Sequence, residues 1–419
     1  MSESLLAGGI FLLTYTLIVT ERIDRTIAAV LGGLAMIVLR VIHQEDAFGQ
    51  VDWNVIFLLA GMMMIAHILS ETGAFQWLAV KAVQLGKRNP YRIMILLSLV
   101  TATASAALDN VTVVVLIAPV SLLVATNLGL SPIPFLVAEV LASNIGGAAT
   151  LIGDPPNILI ASAAGIDFVT FAANMMLPVI LSLLAFIPLS YFVFRRELVV
   201  EPGYRPRVSS LENLITDPVL LRKSLIVIGG VLVAFTFHGA LHLQPATIAL
   251  LGGMILMLWS GKEPHHVLQH VEWNTLFFFI GLFITVESIV EVGIIKAAAD
   301  QALRLTGGSV PLTSMLLLWL SALASGVVDN IPYTATMIPL IQSLGADGMP
   351  VDTLWWALAL GADFGGNLTL VGASANVVVA SLAGRSGYDI SFGRFFRYSF
   401  LITLASMLIA TLYIWLRYL

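Results

Sequence analysis

Apolar residues dominate this chain in long runs, and polar positions interrupt those runs at regular intervals. A membrane-crossing helix needs about 20 mostly apolar residues. Ten stretches meet or approach that length: 4–20, 26–42, 54–70, 134–163 and 175–194, then 221–237, 245–260, 274–292, 354–384 and 396–416. Two further apolar segments, 91–127 and 311–346, carry an Asp-Asn pair at the middle, Asp109-Asn110 and Asp329-Asn330. A carboxylate at mid-membrane depth is costly on a lipid-facing helix. Each segment therefore predicts a re-entrant hairpin, two half-length helices meeting at a polar tip buried in protein. Stretches 134–163 and 354–384 read as broken helices, because SNIGGAATLIGDPPN and DFGGNLTLVGASAN interrupt them with Gly, Pro and Asn.

The pattern is duplicated. At an offset of 220 residues, VDWN (51–54) recurs as VEWN (271–274), Gly61, Glu71 and Gly73 recur as Gly281, Glu291 and Gly293, and Pro119 recurs as Pro339. The tip ASAALDN ending at Asn110 matches ASGVVDN ending at Asn330. At an offset of 219, GGAATLIGDPPNILIASAAG (146–165) matches GGNLTLVGASANVVVASLAG (365–384). Each half has an odd number of spans, so the second copy enters the membrane upside down. The predicted fold is an all-α polytopic membrane protein of two inverted five-span repeats, each with a re-entrant hairpin and a broken helix. Its parts are repeat 1–194, a polar linker 195–220 and repeat 221–419. Inverted repeats with paired broken helices point to a secondary transporter with its site at the repeat interface near the midplane.

Composition supports this and removes other classes. Of the 419 residues 58% are hydrophobic and 11% charged, against about 25% charged in soluble proteins. A net charge of −5 without a basic run excludes nucleic acid as a partner. With no cysteine, thiolate metal sites and thiol nucleophiles are excluded as well. No GK[ST] follows either Gly-rich break, so neither is a nucleotide loop. The reading is a carrier without a cofactor, not an enzyme, with the lipid bilayer as its surroundings. The stretch Leu5 to Val19 follows Glu3 rather than basic residues and lacks a small-x-small cleavage site, which predicts a retained span. With the linker in the cytoplasm, the Lys and Arg residues all lie inside except Arg40, Lys296, Arg304 and Arg417. That skew predicts a multi-pass protein of the cytoplasmic (inner) membrane with both termini periplasmic.

Hairpin tips and helix breaks free backbone groups, aim half-helix dipoles inward and keep apolar side chains out. Gly146, Gly147, Gly153, Gly365, Gly366 and Gly372 permit that backbone, and Pro155 and Pro156 are expected to end the first half-helix. Asn110, Asn144, Asn157, Asn330, Asn367 and Asn376, with Thr150 and Thr369, offer neutral donors and acceptors. Asp109, Asp154, Asp329 and Asp363 offer negative charge for cation binding or proton exchange, with Glu139 a lesser candidate. Blander roles stand beside these: the tips as N-caps, the glycines as packing contacts. Trp53 and Trp273 read as helix starts and interfacial anchors, and Glu71 and Glu291 as interfacial. His67 reads as a packing residue ahead of a proton relay. His265, His266 and His270 read as a solvated loop ahead of a metal site. The predicted core contains no Lys or Arg, which disfavours an anion as substrate.

At LDNVTVVVLIAPV, NIGGAATLIGDPPN, DNIPYTATMIP and GGNLTLVGASANVVVA the chain resembles the ion transporter superfamily, in its ArsB/NhaD/P-protein branch, from about residue 25 to 400. That resemblance, to arsenical pump membrane proteins among others, implies a fixed scaffold and a mobile domain built from hairpins and broken helices, working as an elevator. It implies arsenite or antimonite efflux for arsenical resistance, sodium in antiporter members and carboxylates in more distant relatives. Carried over by motif, the site falls on Asp109-Asn110, the 144–157 break, Asp329-Asn330 and the 363–376 break. The second break has Ala373-Ser374-Ala375 where the first has Asp154-Pro155-Pro156, so the two halves cannot offer identical ion sites. Proton-coupled arsenite efflux is the leading expectation, since neutral arsenite would be read by hydrogen bonds. Alternatives are a sodium/proton antiporter and an anion (carboxylate) permease, and a separate ATPase subunit is a possible partner.

Overall fold

The computed structural model describes residues 3–20, 22–87, 89–199 and 215–419; Arg88 and most of the linker, including Arg205 and Arg207, lie outside the described residues. Among the described residues every regular element is helical. The first half has α1 (Glu3–Thr20), α2 (Arg25–Val38), α3 (Trp53–Ser70), α4 (Ala74–Leu85), α5 (Pro90–Ser105), α6 (Asn110–Asn127), α7 (Ile133–Gly147), α8 (Pro155–Ala164) and α9 (Phe168–Phe194). The second repeats the order with α10 (Pro218–Thr236), α11 (Pro245–Ser260), α12 (Trp273–Glu291), α13 (Ile294–Thr306), α14 (Val310–Ser325), α15 (Asn330–Ala346), α16 (Asp352–Gly365), α17 (Ser374–Arg385) and α18 (Phe392–Tyr418). Short helical turns occupy Gln44–Gly49, His238–Leu241 and Pro264–Leu268.

Polar residues between apolar runs start these helices. Asp24 accepts from Thr26 and Ile27 at α2, Asp52 from Asn54 and Val55 at α3, Asn89 from Arg92 at α5 and Asp217 from Val219 and Leu220 at α10. These side chains satisfy donors that a helix start leaves open. Trp53 and Trp273 begin α3 and α12, as expected. Among the described residues seven helices are long and apolar enough to cross a membrane: α1, α3, α6, α9, α10, α12 and α18. Side chains such as Leu184, Leu225 and Leu416 stand exposed on them, as a lipid-facing surface requires.

Packing follows the repeat. Helix α2 lies along α12 as α11 lies along α3, and α5 lies along α7 as α14 lies along α16. The closest approaches are at paired glycines. A Cβ on Gly61 would stand 2.4 Å from the Ala249 carbonyl carbon, and one on Gly281 2.4 Å from that of Ala29. Two bodies result: a scaffold of α1–α3 with α10–α12, and a core of α5–α9 with α14–α18. Helices α4 and α13, of 12 and 13 residues, connect them. The hydropathy reading passed these two over because they are too short to span. Both begin at a left-handed glycine, Gly73 (φ 77°) and Gly293 (φ 80°), a conformation that costs any other residue energy. A second correction concerns Pro155 and Pro156. The half-helix α7 already ends at Gly147, and the two prolines open α8, where a missing N–H is harmless.

The inverted arrangement makes a direct prediction for this cysteine-free chain. Single cysteines at positions 128–131 and at 346–349 should react with an impermeant maleimide from opposite faces of sealed vesicles; labelling from one face would refute it.

Candidate functional site

In the core, two hairpin tips meet two helix breaks. Helices α5, α7, α14 and α16 end there, and α6, α8, α15 and α17 begin there. The backbone closes the joint symmetrically. The Asn110 amide donates to the Gly153 carbonyl at 3.2 Å, and that of Asn330 to Gly372 at 3.2 Å. The Thr150 hydroxyl donates to Ala106 O at 2.6 Å and the Thr369 hydroxyl to Gly326 O at 2.5 Å. Asn157 Nδ2 donates to Gly147 O and Thr150 O, as Asn376 Nδ2 donates to Gly366 O and Thr369 O. The predicted glycines are contact points here: a Cβ on Gly153 would stand 2.4 Å from Gly147 O, and one on Gly372 2.6 Å from Gly366 O. Thr150, Thr369 and these glycines thus hold the breaks shut.

What remains at the centre is a lattice of amides around one carboxylate. Asn144 Nδ2 donates to Asn367 Oδ1 and to Asn376 Oδ1, each at 2.9 Å, joining the two repeats. Asn110 Nδ2 donates to Asp154 Oδ2 at 2.8 Å and to Asn144 Oδ1 at 3.2 Å, while Asn330 Nδ2 lies 3.4 Å from both Asp154 oxygens. Asp109 and Asp329 cap α6 and α15, accepting from Thr112 N at 2.8 Å and Ile331 N at 3.0 Å. Glu139 is buried away from the lattice and accepts from Ser121 Oγ at 2.5 Å. His67 sits in the last turn of α3, in the scaffold.

Asp363 stands out. At the offset of 219 it occupies the place of Asn144, and Asn157 that of Asn376. In the first pair an amide N–H binds the Asn376 oxygen. In the second, Asp363 faces Asn157, whose N–H groups are committed to backbone carbonyls and whose Oδ1 is buried without a donor, as are both Asp363 oxygens. Three buried acceptors thus stand here without a donor, a desolvation cost that the counterpart pair does not carry.

The structure also overturns the reading that the site lacks a cation. Arg25, expected only as a loop arginine, reaches from the first turn of α2 to Asp329 Oδ2 at 3.1 Å and Ser374 Oγ at 2.6 Å. It lines a cavity of about 20 Å³ together with Asp109, Asn110, Asp154, Glu272 and Asn330. That volume suits one water, so the site is shut in this conformation. A cleft of about 440 Å³ on the linker face shares Arg25, Glu272 and Thr275 with it.

A family model described as CitMHS, citrate transporter, matches residues 15–361. An uncharacterized transporter of Mycobacterium bovis is 48% identical over 99% of both chains. The P protein of Homo sapiens is 35% identical over 99% of this chain and 59% of its own length. The crystal structure of the Alcanivorax borkumensis YdaH transporter, described as having an unusual topology, superposes with a TM-score of 0.61 at 15% identity, covering 99% of this chain and 98% of that one.

The lattice predicts the cost of breaking it. Asn144→Ala removes three neutral hydrogen bonds, each worth about 0.5–1.5 kcal/mol, and strands buried partners on both sides. Gly146→Ala puts a Cβ 2.2 Å from Ala102 O. Both variants should melt several degrees below wild type in detergent, whereas Gly9→Ala, with open space around it, should not.

Proposed function

Because the chain belongs to the CitMHS citrate transporter family, we propose that it is a proton-coupled secondary transporter. Its core moves past the scaffold and carries a small anion of the carboxylate class. The observation that carries the coupling is that both Asp363 oxygens are buried and neither makes a hydrogen bond. A carboxyl that needs a proton to complete a buried bond in one conformation releases it when that bond opens. Transport then follows the proton gradient through Asp363, with Asp154 at the centre of the lattice as the second exchanging group.

Arg25 supports an anionic substrate. Its only carboxylate partner among the described residues is Asp329, so an anion that displaces that carboxylate meets the guanidinium, and four half-helix N-termini add favourable dipoles. An anion bound here and a proton carried at Asp363 together make symport. Arg25 and Ser374 hold opposite sides of the scaffold–core boundary, and that contact must part for the core to move. With the linker in the cytoplasm, as the Lys and Arg distribution predicts, the cleft beside Arg25 opens inward. Antimonite or arsenite efflux against protons is the second reading. The specific observation in its favour is the neutral amide lattice of Asn110, Asn144, Asn330, Asn367 and Asn376, which suits a trihydroxide.

Proteoliposomes separate the two. An inward proton gradient should drive uptake of citrate or a smaller di- or tricarboxylate, Arg25→Gln should lower that uptake at least tenfold, and Asp363→Asn should abolish its pH dependence while exchange persists. Arsenite flux that Arg25→Gln leaves intact, with no carboxylate flux, would overturn the anion reading. Unchanged pH dependence in both Asp363→Asn and Asp154→Asn would overturn the coupling.

A further inference from the structure

Away from the core, on the linker face of the scaffold, the fold gathers four side chains from two distant segments. His67 and Glu71 lie one helical turn apart at the end of α3. His266 and His270 lie one turn apart in and just after Pro264–Leu268. Read along the chain, the three histidines looked like one packing residue and part of a solvated loop. In the fold one ligand atom from each lies within 4.8 Å of the others. The rings of His67 and His270 stack at 3.9 Å between centroids. His67 Nε2 is buried and makes no hydrogen bond. Glu71 Oε1 lies 3.5 Å from both His67 Nε2 and His266 Nδ1.

We propose that His67, His266, His270 and Glu71 form a binding site for a divalent transition metal of the zinc class. Three imidazoles and one carboxylate make a donor set that suits such an ion. The tautomer of one ligand is already set: His270 Nδ1 lies 2.7 Å from the His266 carbonyl, so Nδ1 carries the hydrogen and Nε2 is left to bind. This is the outer bond that metal-bound imidazoles ordinarily make. Lys262 Nζ holds Glu71 Oε2 at 2.6 Å, which orients the carboxylate and leaves Oε1 toward the rings. Without a metal the cluster is poorly satisfied, since two imidazoles and an ammonium share one carboxylate. Metal–nitrogen bonds of about 2.0–2.1 Å require the donor atoms to draw in from their 4.8 Å spread and the stacked His67 and His270 rings, 11° from parallel, to turn so that both lone pairs meet at the ion.

The place gives the ion a consequence. Glu71, Thr72 and Gly73 form the joint at which α4 leaves the scaffold toward the first hairpin. Thr216, at the end of the linker, donates from its amide to Thr72 O at 3.0 Å and from its hydroxyl to Glu71 O at 2.7 Å. A metal there ties this joint to the loop after α11 and stiffens it. The second repeat has no equivalent, for Glu287 stands at the place of His67, and Asp46 and Gln50 at those of His266 and His270.

The test uses full-length protein purified through a non-histidine tag and titrated with Co(II). Wild type should take up one equivalent with the intense visible bands of four-coordinate cobalt, and Zn(II) should bleach them. Removing an outer-sphere partner typically costs about 10–100-fold in affinity. His67→Ala and His270→Ala, which each remove a ligand, should therefore weaken binding at least tenfold, while His265→Ala, next to the cluster but outside it, should bind as wild type. His67→Gln and His270→Asn replace either alanine variant that does not elute as a folded species. No saturable cobalt band in wild type, a band unchanged in the His67 and His270 variants, or an equal loss in His265→Ala would overturn the site.

Discussion

At mid-membrane depth there is no water to satisfy a broken helix, so every backbone group freed by a break must find a partner in protein. The whole core is organised by that requirement. The hairpin tips use their first amides on break carbonyls, Asn110 on Gly153 and Asn330 on Gly372. Thr150 and Thr369 bind the last carbonyls of the facing hairpins, and the amides of Asn157 and Asn376 bind the break itself. These bonds need backbones in near contact, which is why the breaks are written in glycine. The chemistry of the site is what this closure leaves over: a few amides, Asp154 and Asp363.

Much of this was legible from the residues. The apolar runs gave the spans, the buried Asp-Asn pairs gave the hairpins, and the 220-residue offset brought hairpin tips and breaks to one place. The rest was hidden for physical reasons. Helices α4 and α13 are too short to register as spans, and their charges, Lys81 on one and Lys296, Asp300 and Arg304 on the other, make them read as loop. Arg25 sits at a helix start, where arginine is ordinary; only the fold shows its guanidinium reaching Asp329, 304 positions away. Thr150 and Thr369 were rightly expected at the breaks, but a list of donors does not say that the backbone consumes them. The correspondence of Asn144 with Asp363 was present in the repeat. It acquires meaning only when the partners of both, Asn376 and Asn157, are in view.

The two repeats keep their frame and diverge in their chemistry. Gly61 and Gly281 meet Ala249 and Ala29 in the same way, and Asp109 and Asp329 cap equivalent helices. Yet Asp154 faces Ala373 across the pseudo-symmetry, Asn144 faces Asp363, and Arg25 corresponds to Pro245. Packing tolerates little change at a glycine contact, because a Cβ there meets backbone that cannot yield. Polar side chains in the small space at the centre carry no such restriction, and there the halves have become different.

The contact of Arg25 with Asp329 and Ser374 exists on one side of the repeat axis only. An attachment made in one of two conformations weights the occupancy of that conformation and lengthens its dwell time, by as much as the contact differs in free energy between them. It does nothing to the difference in electrochemical potential across the bilayer. In the carrier proposed above, this contact slows departure from the conformation that makes it, while the direction of net flux stays with the gradients alone.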